Sequence, residues 1–229
     1  MNLLPTKNGL PWTSVFKLPE PVQPELLAEL KNLWGSIDWG ENYENNRRNP
    51  DQLAIYPDTR KVTYNTSREY DDKRLGILAE QCANEIKKFF PVPMRLLWSE
   101  LTLLVPNGSI EWHHDRMITG SFATRVMIPI TTNSDIKYYF CSWNDKTPTD
   151  ASMFYATNYL SDDMHEVEMS SGYYYTFNHR VPHKTKSHSP LARGMLMVEM
   201  MPLEHYDENW DTGFGPITEF EKTPIILLK

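Results

Sequence analysis

Cysteine is scarce here: Cys82 and Cys141 are the only two in 229 residues. That excludes a small scaffold stapled by disulfides and fits two structural thiols in a reducing compartment. Long apolar runs are missing as well. None approaches the roughly 20 residues that a membrane-spanning helix requires. The opening segment MNLLPTKNGLPW lacks a charged start followed by a long apolar core, so no signal peptide is expected. Basic runs are absent too, and a formal net charge of −7 argues against a nucleic-acid binder held by phosphate contacts. There is no internal repeat and no low-complexity tract. These absences lead to the expectation of a cytoplasmic protein that partners neither nucleic acid nor membrane.

Aromatic residues, by contrast, are plentiful at 12%, which suits a fold rich in strands. Residues 24–34 place Leu26, Leu27, Leu30 and Leu33 at helical spacing, and residues 70–90 put Leu75, Leu78, Cys82, Ile86 and Phe89 on one face. Pro91 and Pro93 stop the second helix. Residues 1–25 read as irregular and residues 40–70 as loop, with one short strand near Leu53–Tyr56. From residue 94 onward the period changes. Strands are expected over 94–105, Ser109–Asp115, 122–131, Ile136–Trp143, Met153–Tyr159, Tyr173–Phe177 and Met195–Met201, with a turn at Pro106-Asn107-Gly108. This pattern predicts one domain over 1–229. A helical and irregular support (1–93) carries a β-sandwich or barrel (94–203), and a tail (204–229) follows.

The informative residues are Glu111-Trp112-His113-His114-Asp115. Side chains alternate along a strand, so His113 and Asp115 share a face. Imidazole and carboxylate suit a divalent first-row metal, but two ligands do not complete a site. His183 is the best third ligand, since its polar segment follows the strand Tyr173–Phe177 and returns the chain to the sheet. Two histidines and one carboxylate form the facial triad of non-haem iron(II) oxygenases, which leaves positions open for a cosubstrate and dioxygen. A 2-oxoglutarate cosubstrate needs a cation for its far carboxylate. Arg193, ten residues beyond His183, offers a planar, bidentate partner.

Three segments carry a family resemblance. LTLLVPNGSIEWHHD (101–115), RVMIPITTN (125–133) and GYYYTFNHRVPHKTKSHSPLARGMLMVEM (172–200) resemble the 2-oxoglutarate/iron(II) dioxygenases of the aspartyl/asparaginyl β-hydroxylase-like branch. The resemblance implies a mainly β (α+β) protein with a double-stranded β-helix, or jelly-roll/cupin-like, core and supporting N-terminal helices. It implies iron(II), 2-oxoglutarate and O2, and hydroxylation of an amino-acid side chain in a small molecule or peptide. Carried over by position, His113, Asp115 and His183 match the metal ligands and Arg193 matches the 2-oxoglutarate arginine. Arg125 matches an arginine near the cosubstrate's other end, and Thr102 a strand hydroxyl beside it. Met127 stands where the family often has histidine. Asp115 completes the triad where some members carry glycine.

Each signal also has a plainer reading. An isolated His-x-Asp pair is usually packed or solvated, and the pattern gains weight only jointly with His183 and Arg193. His114 faces away from His113 and reads as packing. His179 and His188 read as loop histidines, Arg125 equally as a salt-bridged residue, and Asn133 and Asn178 as turn formers. Two other functions fit less well: a cupin-like isomerase or dioxygenase that needs no 2-oxoglutarate, and a non-enzymatic β-sandwich binding protein.

Overall fold

The computed structural model describes residues 15–40, 55–65, 73–90, 93–114, 124–147, 157–177, 181–203 and 227–228. Along the chain these form β1 (Val15–Pro21), α1 (Pro24–Ser36), β2 (Thr59–Asn65), α2 (Lys73–Lys87), β3 (Met94–Leu104), β4 (Ser109–His113), β5 (Thr124–Thr131) and β6 (Ile136–Phe140). After a 3-10 turn at Thr157–Tyr159 come β7 (His165–Val167), β8 (Tyr173–Phe177), β9 (His183–Ser187), β10 (Arg193–Pro202) and β11 (Leu227–Leu228). A seven-stranded sheet has the order β11-β1-β8-β5-β10-β3-β2, and a four-stranded sheet has the order β4-β9-β6-β7. Pairing is antiparallel except between β1 and β11. The protein is therefore mainly β, with the expected jelly-roll arrangement.

The two faces of the large sheet do different work. Leu196, Val198 and Met200 on β10, with Val126, Ile128 and Ile130 on β5, join Leu26, Leu30, Leu33, Leu78, Cys82 and Ile86 of the helices in one apolar cluster. Pro24 lies in the first turn of α1, where its missing N–H costs no hydrogen bond. Tyr174 on β8 donates its hydroxyl to Glu85 on α2, which ties the helix layer to the sheet. The opposite face carries Met127, Tyr175 and Met195. These pack on Ile136, Tyr138 and Phe140 of the small sheet and so fill the space between the sheets. Central β10 is buried nearly throughout. β6 alternates buried and half-buried positions, as a strand with one outward face should.

The β3–β4 turn is locked in place. Asn107 sits at φ 56, a conformation that asparagine tolerates better than most residues. Gly108 lies so close to Asp58 that an added Cβ would come 2.7 Å from the Asp58 Cβ. The Asp58 carboxylate accepts the Ser109 N–H at 2.9 Å, and its carbonyl accepts the Val105 N–H at 3.0 Å.

Several expectations need correction. The strand in 40–70 lies at Thr59–Asn65, whereas Ile55–Tyr56 is not extended. The irregular N-terminus contains β1, a full strand of the large sheet. Residues 157–159 form a 3-10 turn rather than the end of a strand. β7 and β9 were not anticipated as strands. Both cysteines are free and buried, and burial pushes the Cys141 thiol up to about 12. Among the described residues no helix is long and apolar enough to cross a membrane. Most of the tail lies outside the described residues.

Candidate functional site

His113 ends β4, His183 begins β9, and the two are register partners. Their rings lie 4.1 Å apart between centroids, with planes at 54°. Each ring is oriented by a carbonyl two residues earlier. His113 Nδ1 lies 2.6 Å from the Glu111 carbonyl and His183 Nδ1 lies 2.9 Å from the Val181 carbonyl. A carbonyl can only accept, so both Nδ1 atoms carry a proton, and in the neutral ring this leaves the lone pair on Nε2. This is the tautomer a metal ligand requires, set by the hydrogen bond at the other nitrogen. Phe140 stacks on His183 at 6.2 Å from the small sheet, and Tyr56 meets His113 edge-on at 4.9 Å.

Asp115, the third expected ligand, lies outside the described residues. Among the described residues no group of three His, Cys, Asp or Glu side chains is placed to hold a metal ion. Glu111, next along β4, turns to other partners. Its carboxylate accepts from Ser109 at 2.6 Å and faces Lys184 at 3.4 Å, and these contacts, Ser109 first, hold its pKa below the ordinary carboxylate value. His114 is buried edge-on to Trp143 at 4.9 Å, in keeping with packing. His188 is exposed, and His179 and Asn178 lie outside the described residues. Asn133 closes an Asx turn on the Asp135 N–H and donates to Ser189.

Arg193 opens β10 on the large sheet, with only 3% of its surface exposed. Among the described residues no carboxylate pairs with it. Its guanidinium lies 5.8 Å from the centre of the Tyr138 ring. Three buried polar atoms are linked through Tyr138: its own hydroxyl, the Thr132 hydroxyl near it, and Nε of Arg193, whose charge acts on it. None makes a well-formed hydrogen bond. Burial pushes the Tyr138 phenol up, while the Arg193 charge and the nearby Thr132 hydroxyl pull it down. The phenol therefore stays a donor. A buried cation without a counter-ion is costly. A planar guanidinium in this setting is complementary to a carboxylate.

The sheet register sets the spacing of the two halves. Tyr138 is opposite Thr185 on β9, and Phe140 is opposite His183. Tyr138, whose ring faces Arg193, thus lies two residues along β6 from Phe140, the register partner of His183, or about 7 Å at strand rise. The other two residues from the resemblance are occupied within the protein. Arg125 bonds Glu199 at 2.8 and 3.3 Å, both side chains almost fully buried, with its guanidinium 5.3 Å from the Trp98 ring centre. Thr102 pairs with Met195 and donates its hydroxyl to that residue's carbonyl at 3.3 Å. Tyr138, Thr132 and Tyr56 were not singled out in the sequence. Alternation in IKYYF turns Tyr138 inward, but only strand pairing brings it under Arg193.

No family model and no curated protein matches the sequence. Solved structures do match. HygX from Streptomyces hygroscopicus, solved with nickel, 2-oxoglutarate and hygromycin B bound, aligns at a TM-score of 0.55 and 12% identity over 90% of this chain and 92% of that one. The chain shares its fold. An oxidoreductase of the 2OG-Fe(II) oxygenase family from Burkholderia pseudomallei gives 0.53 and 10% over 82% and 84%. AviO1 from Streptomyces viridochromogenes gives 0.50 and 15% over 80% and 87%.

Proposed function

We propose that this chain is an iron(II)- and 2-oxoglutarate-dependent oxygenase. It would hydroxylate an amino-acid side chain, free or in a peptide, as in the aspartyl/asparaginyl β-hydroxylase-like branch. The observation that carries the reading is the pairing of two features: two histidines whose Nδ1 atoms are tied to backbone carbonyls, and a buried arginine that pairs with no carboxylate among the described residues. Structural neighbours described as binding iron or nickel and 2-oxoglutarate support it.

His113, His183 and Asp115 would hold the metal. Arg193, Tyr138 and Thr132 would hold the far carboxylate of 2-oxoglutarate, the arginine by charge and the hydroxyls as donors. Iron with 2-oxoglutarate and dioxygen, when bound, supplies the chemistry that inserts one oxygen atom into a substrate C–H bond and leaves succinate and carbon dioxide. The protein's share is position and exclusion of water. The Glu111 and Val181 carbonyls fix the ligand rings, and Phe140 and Tyr56 wall them. Met127, Met195 and Tyr175 close the space between the sheets. A cupin-type metal enzyme without 2-oxoglutarate leaves the uncompensated Arg193 without a purpose, which favours the present reading.

The test is metal content with succinate release. Purified protein supplied with iron(II), ascorbate and 2-oxoglutarate under air should bind one iron per chain and release succinate, with or without substrate. His183→Ala should lose both. Wild-type protein that binds no iron, or binds it without forming succinate, defeats the proposal. A screen of free amino acids and short peptides for faster succinate release then identifies the substrate.

A further inference from the structure

Arg193 stands at the first position of β10, where a strand end is prone to fray, and Gly194 follows it. A long side chain on such a backbone would sweep a wide arc. Two residues oppose this. The Thr131 hydroxyl on β5 accepts the Gly194 N–H at 2.7 Å and lies 3.4 Å from the Ala192 carbonyl. It therefore bonds both peptide groups that flank Arg193. The ladder between β10 and β5 is irregular here, between Gly194 and Met195, so the hydroxyl takes the place of a missing main-chain partner.

The second residue is Trp34 of α1, on the helix side of the sheet. Its indole covers Gly194 so closely that a Cβ there would lie 2.8 Å from Trp34 Cε2 and 2.9 Å from Nε1. The indole N–H donates to the Thr102 carbonyl at 3.0 Å, and Thr102 is the register partner of Met195. Trp34 thus bolts β10 to β3 next to the arginine and needs glycine at 194 to do so.

We infer that Trp34 and Thr131 are positioning residues for the 2-oxoglutarate carboxylate, because together they fix the backbone that aims Arg193. This rests on the function proposed above. Neither residue touches the anion. Their effect should therefore appear in the affinity for 2-oxoglutarate and not in the affinity for metal.

The experiment titrates 2-oxoglutarate into nickel-loaded full-length protein by calorimetry and, separately, nickel into the metal-free protein. Trp34→Phe keeps most of the packing and loses the hydrogen bond. Its Kd for 2-oxoglutarate should rise about 5- to 10-fold while its nickel affinity stays within about twofold. Leu33→Ala, on the same helix in the apolar cluster, should lower Tm and leave the 2-oxoglutarate Kd unchanged. Thr131→Val should weaken 2-oxoglutarate binding in the same way, and Thr131→Ser should restore it, which keeps the inference testable if the indole variant misfolds. An unchanged Kd in Trp34→Phe or Thr131→Val overturns the inference, as does an equal loss in Leu33→Ala. Wild-type protein that binds nickel but not 2-oxoglutarate overturns the functional reading and this inference together. Tight wild-type binding with indifferent variants overturns the inference alone.

Discussion

At the scale of single residues, Arg193 is a buried cation that no carboxylate pairs with among the described residues. It is 3% exposed, its Nε has no hydrogen-bond partner, and its guanidinium lies 5.8 Å from the centre of the Tyr138 ring. An interior would shed such a charge unless something binds there. That predicts opposite effects on stability and function from one substitution. Arg193→Met keeps the aliphatic stem and removes the charge. The ligand-free variant should be at least as stable as wild type, and its Tm should rise by a few degrees. The KM for 2-oxoglutarate in succinate release should rise roughly 10- to 100-fold, the worth of about 1.5–3 kcal/mol for hydrogen bonds to a charged group. Thermal melts and initial rates on the same preparation check both halves. A variant that loses stability while keeping its KM would mean that the guanidinium serves the fold.

At the scale of elements, a contrasting ion pair joins β5 to β10. Arg125 and Glu199 are register partners, 7% and 0% exposed at their side chains, and one carboxylate oxygen, Glu199 Oε2, accepts from both Arg125 Nε and an Arg125 terminal nitrogen. Removing one member of a buried ion pair costs about 3–5 kcal/mol. Glu199→Leu should therefore lower the unfolding free energy by that amount in urea melts. Arg125→Met combined with Glu199→Leu should recover most of the loss. A double variant no more stable than Glu199→Leu alone would show that this carboxylate does not hold the guanidinium. The same elements show what sequence patterns reveal. α1, α2, β3, β5, β8 and β10 carry helical or strand periodicity in apolar residues, and each was legible. β1 hid because Pro19 and Pro21 read as loop. The structure tolerates them where the ladder with β8 shifts register, between Lys17 and Pro21. β9, His183-Lys184-Thr185-Lys186-Ser187, hid because both of its faces are polar. Its inward positions are His183, Thr185 and Ser187, one of them a candidate ligand, and its outward positions are lysines. A strand given over to a site loses the apolar alternation by which strands are recognised. His183 and Arg193 could be named from spacing. Tyr138 and Thr132 could not, because their proximity to Arg193 arises from pairing between segments far apart in sequence.

For the whole molecule, the residues of the candidate site lie on both sheets. His113 and His183 belong to the small sheet, and Arg193 belongs to the large one. A dicarboxylate held by a metal at one end and by Arg193 at the other would cross-link the sheets through the core between them. Two attachments in one ligand bind far better than either alone, since the second is intramolecular. Binding to the folded state at 100 times Kd adds about 2.7 kcal/mol. In a chain of this size that corresponds to a Tm rise of roughly 5–11 °C, at about 2–4 °C per kcal/mol. Nickel with 2-oxoglutarate should therefore raise Tm by more than the sum of the two added singly. EDTA should remove most of the 2-oxoglutarate effect, and Arg193→Met should remove it with metal present. A shift that survives EDTA in full would show that the anion binds without the histidine end. The two halves of the site would then be separate features of the fold and not one centre.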